Sequence, residues 1–100
     1  MSLAIELTDE AWKDSFHAVK WYDEQKPGLG NRFIEYLDKT LKKISENPTA
    51  FKKVYRQARQ ASLQKFPYVI LYKVEKHKAI VYCVFHTSQH PKKKIRRLKK

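Results

Sequence analysis

At Asn47-Pro48 the spacing of apolar residues changes from nearly four to two or to unbroken runs, dividing the chain into a helical half and a stranded half. Before the switch, Trp12, Phe16, Val19 and Tyr22 recur at spacings of four, three and three, and Phe33, Leu37, Leu41 and Ile44 form a second stripe of the same kind. Two helices are expected. The first is capped by Thr8, carries Asp9 and Glu10 in its first turn where the helix dipole favours negative charge, and ends near Lys26 because Pro27-Gly28 cannot continue it. The second starts after Gly30 and stops at Asn47-Pro48, since a residue before proline avoids helical geometry. So short a link makes the pair an antiparallel hairpin, with Trp12, Phe16, Phe33 and Leu37 expected in the core.

Beyond Pro48 the β-formers Val, Ile, Tyr and Phe dominate, and strands are expected near Val54 to Arg56, Gln60 to Leu63, Tyr68 to Val74 and Ala79 to His86. Glu75-Lys76-His77-Lys78 has hairpin length, although it lacks the usual Gly or Asn. The last strand is apolar on both faces and is expected centrally, under the helices; what covers its far side is left to function. Leu3 to Leu7 alternates weakly and suits a first strand. The fold class is therefore α+β, an N-terminal strand and helical hairpin packed on a small antiparallel sheet.

A chain of 100 residues makes one domain, placed at residues 1–91, followed by a basic tail over 92–100. With 42% apolar residues and only two glycines it has enough to bury to fold despite its charge. The single Cys83 excludes an internal disulfide and is expected as a small buried hydrophobe. The longest apolar stretch, Ala79 to Phe85, is far short of the roughly 20 residues that cross a bilayer, and nothing at the start has the pattern of a signal peptide. The expected compartment is the cytoplasm, with no membrane partner and no small-molecule cofactor.

Charge is distributed unevenly. Residues 1–50 carry seven Lys/Arg against nine Asp/Glu, a net of −2, and residues 51–100 carry fifteen against one, a net of +14, giving the overall +12. A half so strongly self-repelling implies a polyanion or an acidic partner protein seated against it.

Three motifs resemble the RelE/ParE toxin superfamily of plasmid-stabilisation and addiction modules. They are Trp21-Tyr22-Asp23-Glu24-Gln25-Lys26-Pro27-Gly28-Leu29-Gly30 with Phe33 behind it; Arg59-x-Ala61-x-Leu63-x-x-Phe66-Pro67-Tyr68-x-Ile70-x-Tyr72; and Val84-Phe85-His86 followed by Pro91. The resemblance covers about Glu6 to Pro91 and implies a helical hairpin on a small antiparallel sheet. It also implies a toxin of a type II toxin-antitoxin pair, held inactive by a cognate antitoxin whose extended, often acidic segment wraps it. Some members cleave mRNA on the ribosome and others poison DNA gyrase. This chain has Gln89 where many members carry Arg, no Tyr after Tyr82, and Lys94 or Ile95 in place of a common Trp, which weakens the nuclease reading. Arg96 or Arg97 stands for the Arg that follows in the family.

Metal-independent RNA cleavage needs a base for the 2′-OH, an acid for the leaving oxygen and cations around the phosphate. His86 and His90 are the acid and base candidates, and Arg59, Arg56, Lys53 and Lys65 the phosphate stabilisers, with Arg59 and His86 forming the catalytic pair. Each has a plainer reading: His86 as a capped strand end, Arg59 as an internal anchor. Lys53, Arg56, Lys65, Gln89, His90, Lys92 and Arg96 are the candidate contacts to nucleic acid or antitoxin. The tail is either a solvated terminus or a nonspecific polyanion contact. His86 and His90 fall at a strand end with no Cys or carboxylate nearby, so no metal is expected. Two other readings stay open: a noncatalytic nucleic-acid-binding or gyrase-binding module, and a degenerate toxin fold that retains only antitoxin binding.

Overall fold

The structure, a computed structural model, describes residues 2–89 and 96–98. The elements run β1 (Ala4–Leu7), α1 (Asp9–Gln25), α2 (Leu29–Glu46), β2 (Lys53–Tyr55), β3 (Ala58–Ser62), β4 (Tyr68–Glu75) and β5 (Lys78–His86). One five-stranded sheet has the order β1-β5-β4-β3-β2. It is antiparallel except for β1, which pairs parallel to the first half of β5, from Ala4↔Lys78 to Leu7↔Val81. The centre is therefore β4, with β5 beside it. The turn between β4 and β5 is made without glycine by Lys76 at φ 55°.

Local chemistry accounts for the helix ends. Thr8 accepts the amide of Ala11 on its side-chain oxygen, and Asp9 and Glu10 occupy the first turn of α1, as expected. The N-cap of α2 is Gly28 at φ 90°, which has no side chain to offer. Asp23, in the last turn of α1, supplies the missing acceptor and takes the Gly30 amide at 2.7 Å. Gly30 also lets the helices touch: a Cβ there would lie 2.7 Å from the Val19 carbonyl oxygen.

The buried stripe of α1 corrects the sequence reading. Ala11, Ser15, Ala18 and Tyr22 face inward, whereas Trp12 is 52% and Phe16 65% exposed, stacked on each other at 6.1 Å. Small residues let α1 lie close on β5 and α2, and large rings on that face would hold it off. On α2 the stripe holds, with Phe33, Leu37 and Ile44 buried. Phe33 is fully enclosed by Tyr22, Phe66 and Tyr68, with ring centroids at 5.5, 5.3 and 5.0 Å. Tyr72 is also fully buried, and its hydroxyl donates to the Pro48 carbonyl at 2.6 Å, tying the α2–β2 connection to the sheet.

Opposite β4, strand β5 carries one extra residue. Leu71 pairs with Cys83 but Tyr72 with Val81, so Tyr82 is a bulge. The alternation consequently slips: Val81 and Val84 both join the helix-side core, whereas Tyr82, Cys83 and Phe85 pack on the far face. That far face, with Val69, Leu71 and Ala58, is covered by Leu98, which is 3% exposed and whose carbonyl accepts from Lys73 Nζ at 2.7 Å.

Burial raises the Tyr22, Tyr68 and Tyr72 hydroxyls above their ordinary 10.0, and burial together with the Glu75 carboxylate pushes Tyr82 up to about 12. A hydroxyl whose folded pKa is raised contributes stability that is complete below the unfolded value and is lost as pH rises through the folded one. Urea midpoints should accordingly fall between about pH 10 and pH 12, and Tyr82→Phe should reduce that fall.

Candidate functional site

Only the first half of β5 is covered by β1. Along the remaining edge three side chains take the place of a strand. Arg97 Nη1 donates to the Tyr82 carbonyl at 3.4 Å, the Val84 amide donates to Asp14 Oδ2 at 3.0 Å, and the His86 amide donates to Gln89 Oε1 at 3.0 Å. Capping of this kind keeps an exposed strand edge from pairing freely. Arg97 forms a two-pronged pair with Asp14 at 2.6 and 3.1 Å and lies 3.3 Å from Glu10. The hydrogen bond to Asp14 is the main reason the Arg97 guanidinium is held above its ordinary pKa, with burial opposing it.

Between this edge and α1 lies a groove of about 370 Å³, lined by Asp14, His17 and Trp21 from α1, Tyr68 from β4, and His86, Ser88 and Gln89. Its size is that of a small-ligand site. His86 packs edge-on against Tyr68 at 5.3 Å, and its Nδ1 accepts the Ser88 amide at 3.0 Å, with the Ser88 hydroxyl 2.7 Å away. An Nδ1 that accepts a backbone N–H leaves the ring proton of the neutral imidazole on Nε2. The ring is thus arranged to donate a hydrogen bond from Nε2, while its basic nitrogen is engaged. Burial, followed by the Tyr22 and Asp14 charges, raises Tyr68, which keeps its hydroxyl neutral in the same groove.

The other residues singled out from the sequence lie elsewhere. Arg59 Nη1 donates to the carbonyls of Phe51 at 2.6 Å and Thr49 at 3.1 Å, anchoring the connection that Tyr72 also holds. Arg59 pairs with Tyr72 and His86 with Tyr68, so the two backbones stand four residues apart along β4 and on opposite sides of it. That amounts to about 13 Å along the strands and about 10 Å across them. Lys53 and Arg56 are exposed near Arg59, with the Arg56 guanidinium 5.3 Å from the centre of the Tyr55 ring. Lys65 is exposed at φ 70° beside a different hollow, and Arg96 is exposed in the C-terminal turn. The site brings together His86 and Gln89 but neither with Arg59. His90 and Lys92 lie outside the described residues.

Sequence reasoning missed Asp14 and His17 as members of this site, and named Arg97 only as one of two stand-ins for the Arg that follows in the family. A signal was present: Glu10, Asp14, His17 and Trp21 follow at spacings of four, three and four, a polar stripe alongside the buried one.

Residues 5–91 match the family model described as the ParE toxin of the type II toxin-antitoxin system parDE. The chain belongs to the ParE toxin family. A solved structure titled as a chromosomal ParDE toxin-antitoxin system from P. aeruginosa is similar to it with a TM-score of 0.75 and 13% identity, covering 85% of this chain and 96% of that one. At that identity the likeness is one of fold, and it includes the strand, helical hairpin and sheet described above. A search of curated proteins returns no match. Membership implies an antitoxin partner, in keeping with a basic second half. Among the described residues, no helix of this ParE-family chain is long and apolar enough to cross a membrane.

Proposed function

We propose that this ParE-family chain is a toxin that inhibits growth by docking onto DNA gyrase rather than by cutting mRNA, and that a cognate antitoxin with an acidic segment neutralises it. The observation that carries this reading is the separation of Arg59 from His86. In metal-independent cleavage the cation must touch the phosphate whose neighbouring oxygens the acid and base serve, within about 3 Å of each. Here the arginine is tied to two backbone carbonyls, and the acceptor nitrogen of the histidine is held by Ser88. Catalysis would require both to be released and brought together. Docking requires neither, and the net +14 of residues 51–100 supplies the long-range attraction to gyrase-bound DNA or to an acidic antitoxin segment.

Single-turnover assays with mRNA on purified ribosomes test the first half of this reading. Wild type, His86→Gln and Arg59→Ala should all leave the message at its background rate. Cleavage by wild type that falls by about 10²–10⁴ in His86→Gln would instead identify a general acid or base and overturn the proposal.

A further inference from the structure

Away from the groove, large apolar side chains stand exposed together on the helical hairpin. Trp12, Phe16, Val19 and Asp23 follow at spacings of four, three and four, which makes them one stripe along α1. The far end of that stripe touches α2, where the Val19 carbonyl and the Asp23 carboxylate meet Gly30. One turn away from this contact along each helix stand Phe16 on α1 and Ile34 on α2, both exposed. Trp12, stacked on Phe16, extends the patch. Asp14, His17 and Trp21, which line the groove, lie on the opposite flank of the buried stripe of α1.

The charge of this face differs from that of the second half. α1 carries five acidic and two basic residues and α2 three and four, a net of −2, against +14 for residues 51–100. A polyanion or an acidic segment is drawn to the second half and not here. Two copies of a chain with a net charge of +12 meet with least repulsion helix to helix. Asp9 and Lys20 lie along the same edge of the Trp12 stripe, and among the described residues neither makes a side-chain ion pair or hydrogen bond.

We propose that this face is a self-complementary interface, through which two copies of the chain pair by packing their α1 helices antiparallel. With the two-fold axis at the level midway between Trp12 and Phe16, Trp12 stands opposite Phe16 of the second copy. The same placement sets Asp9 opposite Lys20 of the second copy, and symmetry makes each contact twice. Aromatic anchors at the centre with opposite charges on the rim are the anatomy of a specific interface, the charges fixing its register. Two half-exposed rings and Ile34 are a small anchor set beside the roughly 800 Å² per partner of a standard interface, so pairing is expected at about 10–100 μM chain. The flank of α1 that borders the β5 groove stays uncovered in such a pair, so pairing does not depend on which target the toxin has.

The test is sedimentation equilibrium of the full chain at about 0.15 M salt, where charges more than about 8 Å apart are largely screened. The mass should rise from 12.0 kDa toward twice that value as the concentration passes through the expected range. Asp9→Lys should weaken pairing about tenfold, because it turns two reciprocal attractions into repulsions. Asp9→Lys, Lys20→Asp reverses both partners, restores the net charge and should recover the pairing. Trp12→Ala, Phe16→Ala should keep the chain at 12.0 kDa throughout, whereas Val54→Thr, which removes an exposed apolar side chain from β2, should leave pairing unchanged. All five positions are exposed, so the variants should keep the helical circular dichroism of the wild type. A wild-type chain that stays at 12.0 kDa up to about 100 μM would overturn the proposal. So would growth past a dimer, a double charge variant no better than Asp9→Lys, pairing undiminished without the two rings, or an equal loss in Val54→Thr.

Discussion

Phe33→Ala should lower the free energy of unfolding by about 3–5 kcal/mol, a large share of what a small domain has. Phe33 is fully buried, and three aromatic rings close around it, so truncation leaves a cavity that α2 and the sheet can fill only by moving. Trp12→Ala, by contrast, should cost under about 1 kcal/mol, because that side chain is half exposed and rests mainly on Phe16. Urea unfolding of the two variants measures the difference. Equal losses would mean that α1 is turned to bury Trp12.

The second large effect is expected at Asp14. One carboxylate there holds the Arg97 guanidinium in two bonds and the Val84 amide in a third, and its side chain is only 13% exposed. Asp14→Ala therefore leaves a largely buried cation and a strand amide without their acceptor, for a loss of about 2–4 kcal/mol. Arg97→Ala alone should cost less, since Asp14 keeps the amide. A double-mutant cycle should give a coupling of about 1.5–3 kcal/mol between the two. A coupling near zero would show that the C-terminal turn is not pinned by this pair.

These two residues also mark what the sequence could and could not convey. Although α2 starts at Leu29, ahead of the expected start after Gly30, with Gly28 as its N-cap, the two helices, the Thr8 cap and the four later strands were legible because proline, glycine and the change of period act locally. The face of α1 was not, because the residues that allow close packing, Ala11, Ser15 and Ala18, carry little hydrophobic signal beside Trp12 and Phe16. Parallel pairing of the four-residue β1 is a tertiary choice with no local signature, and so is the bulge at Tyr82 that re-aims Val84. The cover on the far face of the sheet lay hidden in a run of like charges: Leu98 packs there, and Arg97 meets an acid 83 positions earlier. In the candidate site, His86 and Gln89 were found from the motif and are neighbours in space. Arg59 was picked out by charge, and its backbone partners across the α2–β2 connection are invisible to a one-dimensional reading.

Gyrase trapping tests the central claim most directly. Purified toxin in excess is incubated with DNA gyrase, supercoiled plasmid and ATP, and the DNA is resolved after denaturation of the enzyme. A toxin that acts by docking should accumulate enzyme-linked, cleaved plasmid, and His86→Gln should retain that effect because no proton transfer by the histidine is involved. Uncleaved plasmid and undisturbed supercoiling at toxin excess would contradict the account.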